Sequence, residues 1–312
     1  MITPDKESVV QMTAGAVILF LIFLVVFHFY QKQNPADQLA FKANRVDLVS
    51  RMELALASAS EAEKSAVLAI TDQDSQTFAD QARAASAEAD KNRQELGRLL
   101  NSGGTQNEKA LFDQFSKLFA DFRRIDNDLL NLAVKNTNLK AYGLAFGSAA
   151  EAIAEMNTAL SSLIESNTGC SPEERQMVFL GYNAEISGLR LQTLLPPHIA
   201  EQSDQKMDEM EALMSKENQE IRMDLDKLTG IAKNHQNADL AKAISSYDRF
   251  SQIKTRILAL SRENTNVKSL SIALNQKRKV MFLCQDTLNK LQQAILDEPI
   301  AGVTYGRPVS PR

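Results

Sequence analysis

Helix breakers are scarce in this chain, with 8 prolines and 12 glycines among 312 residues. The stretches between them are rich in Ala, Leu, Glu, Lys and Gln, which lose little side-chain freedom in a helix. That composition excludes a turn-rich β architecture and predicts an all-α protein. Cysteine is scarcer still. Cys170 and Cys284 sit in no C-x-x-C pair and near no histidine, which argues against a metal site. Cys284 occupies a core position in the helical pattern below and reads as a small buried hydrophobe. A disulfide stays open if the domain lies outside the cytoplasm. The histidines, His28, His198 and His235, are isolated. There is no H-E-x-x-H, no phosphate-binding loop, no G-x-G-x-x-G and no G-x-S-x-G. No nucleophile, base and orienter can be assembled from these residues, so the chain reads as non-enzymatic and without a cofactor. An excess of positive charge is also missing. The formal net charge is -4, and Lys277-Arg278-Lys279 is the only tight basic cluster. That is too small a footprint for nucleic acid.

One long apolar run is present. Thr13 to Tyr30 contains no Asp, Glu, Lys or Arg. About 17 to 25 helical residues cross a bilayer, and His28, Phe29 and Tyr30 suit the interfacial belt. The run is therefore expected to be a transmembrane anchor, with residues 1–33 forming tail and anchor. The rival is a cleaved signal peptide. Asp5 and Glu7 in the first residues, and the lack of a small-residue cleavage site, favour the anchor. Lys6 and the amino group precede the run, and Lys32, Lys42 and Arg45 follow it. That asymmetry leans toward an outside N-terminus.

Behind the anchor the sequence repeats itself. Leu130 to Phe146 returns as Leu258 to Leu274, a shift of 128 (258 minus 130). The shared centre is Asn136-Thr137-Asn138 and Asn264-Thr265-Asn266, each followed by an apolar residue and Lys. A period this long writes a whole helical unit twice. Helix starts are marked by Asn34-Pro35-Ala36-Asp37 and by the capping box Ser171-Pro172-Glu173-Glu174. The first helix shows a heptad seam, Leu48, Met52, Ala55, Ala59, Ala62, Ala66. Asp72 to Ser75 reads as a turn. The third helix carries Phe115, Phe122, Ile125 and Leu129. The fourth places Tyr142, Phe146, Ala149 and Ile153 on its stripe. The fifth is expected to stop at Pro196-Pro197, and the sixth carries Met207, Met210 and Met214 as core filler. The eighth has Val267, Leu270, Leu274, Met281 and Cys284. The expected architecture is two tandem up-down four-helix-bundle units, 34–168 and 169–296, then a disordered tail, 297–312.

The Ala-rich first helix, the aromatic third helix, the KNTN turn and the fourth helix resemble the extracytoplasmic four-helix-bundle sensor domain of bacterial chemoreceptors. Two such units are similar to the helical bimodular sensors of the same superfamily. Unlike a typical receptor, the sequence has no second span, methylation helix or kinase-coupling tip after Leu296. The resemblance implies a single-pass protein of the bacterial inner membrane with its bundles periplasmic or extracellular. It also implies a homodimer, a small organic acid or amino acid ligand, and a signalling partner. Family ligands are held between helices by Arg and Thr.

Three basic residues are candidates for such a ligand. Arg51 lies beside seam residue Met52 and could hold a carboxylate bidentately; its plainer role is a solvated flank. Lys277 stands on the apolar stripe where the first repeat has Ala149, so it needs a ligand, a partner acid or water. Arg190 on the fifth helix is the third. The repeated Asn-Thr pairs either line a site or cap the interhelical turns, and capping is the favoured reading. The alternative to a sensor is a structural helical bundle without a ligand.

Overall fold

The computed structural model describes residue 22 and residues 35–167, 169, 171–232 and 237–300. The apolar run 13–30 and the tail beyond residue 300 lie outside these, Ile22 excepted. Among the described residues, no helix is long and apolar enough to cross a membrane. The described secondary structure is all helical. Eight long helices follow in chain order: α1 (Pro35–Leu68), α2 (Asp72–Gly103), α3 (Gln106–Ala133), α4 (137–165), α5 (Pro172–Ala200), α6 (Asp204–Ala232), α7 (Ala238–Glu263) and α8 (265–297).

Local chemistry sets most of the ends. Ser171 accepts from the Glu174 amide at 3.1 Å while Glu174 Oε2 accepts from the Ser171 amide at 3.0 Å, closing the predicted capping box. Asp72 to Ser75 is not a turn but the first turn of α2. Thr71 caps it, its Oγ1 accepting from the Asp74 amide at 3.0 Å, and Ser75 Oγ donates to Ala66 O at 2.9 Å. Helix α5 does not stop at Pro196-Pro197 but runs through both to Ala200. The prolines remove two amide donors. Beyond them the turn is held by His198, whose carbonyl accepts from Ser261 Oγ at 3.0 Å, and by Ile199, whose carbonyl accepts from Asn138 Nδ2 at 2.7 Å.

Helices α4 and α8 are each interrupted by a π-helical segment, Ala145–Ala149 and Ala273–Lys277. The two segments sit 128 residues apart (273 minus 145), so the repeat extends to this irregularity. An extra residue in one turn rotates the buried face. Ala141, Ala145 and Ala149 face the core on α4, while Phe146 is 67% exposed and stacks on Tyr142. In α8 the predicted core residues Leu270 and Leu274 are exposed, and Ser269 and Lys277 are buried instead.

Two compact units divide the chain, and they cut across the two sequence repeats. Unit 1 takes residues up to 59, 84–121 and 280 onward. In it α1, α2, α3 and α8 meet. Gln292 Nε2 donates to Ser50 Oγ at 2.9 Å, and Lys42 donates to the carbonyls of Leu296 and Glu298. Its apolar interior includes Leu48, Met52, Leu96, Phe115 and Leu288.

Unit 2 takes 60–83 and 122–279. Its main core joins α4, α5, α6 and α7, with Ile153, Met156, Leu160, Leu191, Leu195, Ile221, Tyr247 and Phe250 all buried. Helix α4 therefore packs against α5 and α7, helices of the other repeat. A β-carbon on Gly181 would lie 2.9 Å from Ile164 Cγ1, so α5 approaches α4 closely there. A smaller core in the same unit gathers the ends of α1, α2 and α3, with Ala66, Ala79, Ala82, Leu129 and Ala133, against Ile272 and Ala273 of α8.

Candidate functional site

Lys277 closes the π segment of α8, 2% exposed. Its ammonium hydrogen-bonds Asp126 of α3, lies 2.6 Å from Glu63 Oε2 of α1 and sits 3.7 Å from the centroid of the Phe122 ring. Glu63 and Asp126 are as deeply buried as the lysine. An isolated ammonium here would be costly, and two carboxylates with an aromatic face supply its partners. The donated bond goes to Asp126; Glu63 Oε2 touches the charge but has no hydrogen bond of good geometry. The cluster contains two acids and one base. Burial pushes the Glu63 carboxyl up to about 7, with Asp126 adding to the shift and Lys277 opposing it. The positive charge is therefore satisfied from within, and Lys277 is not free to hold an anionic ligand.

Arg190 is placed differently. Its side chain is 64% exposed, and its nearest acid, Glu217, is 3.9 Å away. It lines a groove of about 330 Å³ on α5 and α6 with Asn183, Ile186, Ser187, Glu220, Met223 and Asp224. Asp224 has its carboxyl raised by burial, against Lys227, with Glu220 adding to the rise. The groove thus joins a guanidinium, an amide, a hydroxyl, two carboxylates and the half-exposed apolar side chains of Ile186 and Met223. Arg51 is 62% exposed and paired to Asp47 at 2.8 Å on its own helix, a solvated flank. Arg51 belongs to unit 1, while Arg190 and Lys277 belong to unit 2 and share no partner.

The repeated Asn-Thr pairs have a role other than side-chain capping. Asn136 and Asn264 adopt left-handed backbone conformations, φ 51° and 54°, and their side chains make no cap bond to the helices that follow. The two turns instead bond to each other. The Thr137 amide donates to Thr265 Oγ1 at 3.2 Å and the Thr265 amide to Thr137 Oγ1 at 3.1 Å. The Asn138 amide donates to Asn266 Oδ1 and the Asn266 amide to Asn138 Oδ1, both at 3.1 Å. This reciprocity is the signature of a local two-fold axis relating the two turns. The matched spacing was visible in the sequence; their mutual contact was not.

Two further charged clusters were missed. His198, fully buried, has Nδ1 2.8 Å from Ser261 Oγ and Nε2 2.9 Å from Glu211 Oε1. Arg262 grips the same Glu211 oxygen at 2.7 Å and also pairs with Asp208. Burial holds the His198 imidazole below its ordinary value, with Glu211 opposing. Glu211 is held low by Arg262 first. In unit 1, Arg45 pairs with Glu108 at 2.7 Å and with Glu298, and lies 4.6 Å from the Phe41 ring centroid. Glu108 also accepts from the Thr105 amide, so the T-x-x-E spacing was the available signal.

The class of protein defined by these features is an all-helical bundle protein whose charged clusters are mostly satisfied internally. Residues 43–176 match the family model described as a four helix bundle sensory module for signal transduction. The matched stretch runs from within α1 through α4 to the start of α5, and over it the chain is similar to that sensory family. The family is a sensory one rather than an enzyme family. No curated protein and no solved structure matches the chain.

Proposed function

We propose that this chain is a membrane-anchored, chemoreceptor-like sensory module that binds a small organic acid or amino acid outside the cytoplasm and works with a signalling partner as a homodimer. The sensory-module match over 43–176 carries the reading. The apolar run 13–30 supports the anchor, and the resemblance to exported receptor domains supports the location. Of the three basic candidates, Arg190 is the one whose charge is both accessible and set in a groove. It is the residue proposed to meet a ligand carboxylate. The rival reading is a structural bundle without a ligand.

The test is thermal unfolding of the full chain in detergent against amino acids and organic acids. A ligand at 100 times its dissociation constant adds about 2.7 kcal/mol of stability, and Arg190→Ala should remove that gain. The absence of any shift across both sets would favour the structural bundle. An export-dependent reporter fused after Leu296 should be active; activity only of a cytoplasm-dependent reporter would reverse the topology.

A further inference from the structure

We infer a second input, independent of the Arg190 groove: Glu63, Asp126 and Lys277 form a buried proton-binding site whose occupancy governs how tightly α8 is held at its π segment. Its ground is the geometry of the cluster. Two carboxyls and one ammonium lie within contact distance and are almost sealed from water. With both carboxyls ionised, the cluster carries one negative charge in excess. With one proton bound, it is neutral. The charged groups that face Glu63 are Asp126 from α3 and Lys277 from α8. Helix α2 adds Ala79 and Ala82 to the adjoining core, while its Asp80 and Arg83 pair with each other at 3.0 Å on the surface. No opposite charge from that side offsets the excess.

Glu63 is the proton's seat because Asp126 already accepts the lysine's hydrogen bond, while Glu63 Oε2 has none of good geometry. Burial and the neighbouring acid hold that proton to near neutrality, up to about 7. Release transfers it to water and leaves a carboxylate in a site with one cation for two anions. That penalty is relieved by admitting water or by loosening the packing of Lys277. The nearest weak point is the segment Ala273–Lys277, where the regular α-helical ladder is already interrupted. The corresponding segment of α4 ends in Ala149 and has no such charge. The response is therefore confined to one of the two copies.

The test is hydrogen exchange of the full chain in detergent, corrected for the intrinsic rate, at pH 5.5 and 8.5. Protection across residues 273–281 should fall at least tenfold at the higher pH, while 145–153 of α4 changes little. Glu63→Gln, always neutral, should hold the same protection at both values. Asp126→Asn leaves one acid for one base and should do likewise. Equal pH dependence in both variants and the unmodified chain would overturn the proposal, as would no dependence in the unmodified chain. Carbon-13 carboxyl spectra of the glutamate-labelled, unmodified chain read the proton directly and do not depend on the variants folding. One glutamate should titrate well above the ordinary carboxyl range. If none titrates above pH 6, the proposal fails.

Discussion

At the scale of single residues, position on the helical stripe was legible and partnership was not. The lysine at 277 falls on an apolar stripe in the sequence, and a buried Lys demands partners. Nothing in the sequence names Glu63 or Asp126, because they reach it from helices 214 and 151 residues away (277 minus 63, 277 minus 126). Removing the cation strands two buried carboxyls. Lys277→Met should therefore cost about 3–5 kcal/mol in denaturant unfolding. Arg51→Ala, which loses only an exposed same-helix pair, should change stability by about 0.5 kcal/mol or less. His198 gives a pH signature of opposite direction to that of Glu63. Its folded pKa lies below the unfolded value, so the favourable neutral form is present in full above about 6.5. Stability is lost as pH falls below that value toward the folded pKa. Melting temperatures should fall on the acid side of neutrality, and His198→Gln should flatten that limb while leaving the alkaline loss due to Glu63.

At the scale of elements, helix existence and most caps followed from sequence because capping is local chemistry. The capping box at Ser171 and the Pro35 start needed no tertiary information. The misplaced faces of α4 and α8 have one cause. A π segment leaves no strong compositional mark, yet it turns Phe146, Leu270 and Leu274 away from the core. The turns at Asn136 and Asn264 were recognisable as turns; that they dock on each other was not, since spacing does not report contact. Their coupling is measurable. A double-mutant cycle of Thr137→Val and Thr265→Val should show non-additivity of about 0.5–3 kcal/mol, because each hydroxyl accepts the other's amide. Strict additivity would mean the turns are held by neighbouring packing alone.

At the scale of the molecule, the repeat announced two similar sets of four helices but not how they are shared between units. Helix α4 lies with α5 and α7, where Ile164 meets Gly181 and Ser161 donates to Glu185 at 2.8 Å. Protease should cut near Gly169, which is exposed and lies between two long helices. The two fragments should nevertheless stay together on gel filtration until denaturant is added, because the cut separates helices that share one core. The same sharing constrains manufacture. A ribosome delivers α1, α2 and α3 long before α8, yet Lys42 of unit 1 finds its carbonyl partners 254 and 256 residues later. The bundle of α4 to α7 can close as soon as Glu263 has emerged, whereas unit 1 waits for the final described helix. Until then its apolar seams are open to chaperones or to a neighbouring nascent chain, so the earliest made of the eight helices are among the last to be enclosed.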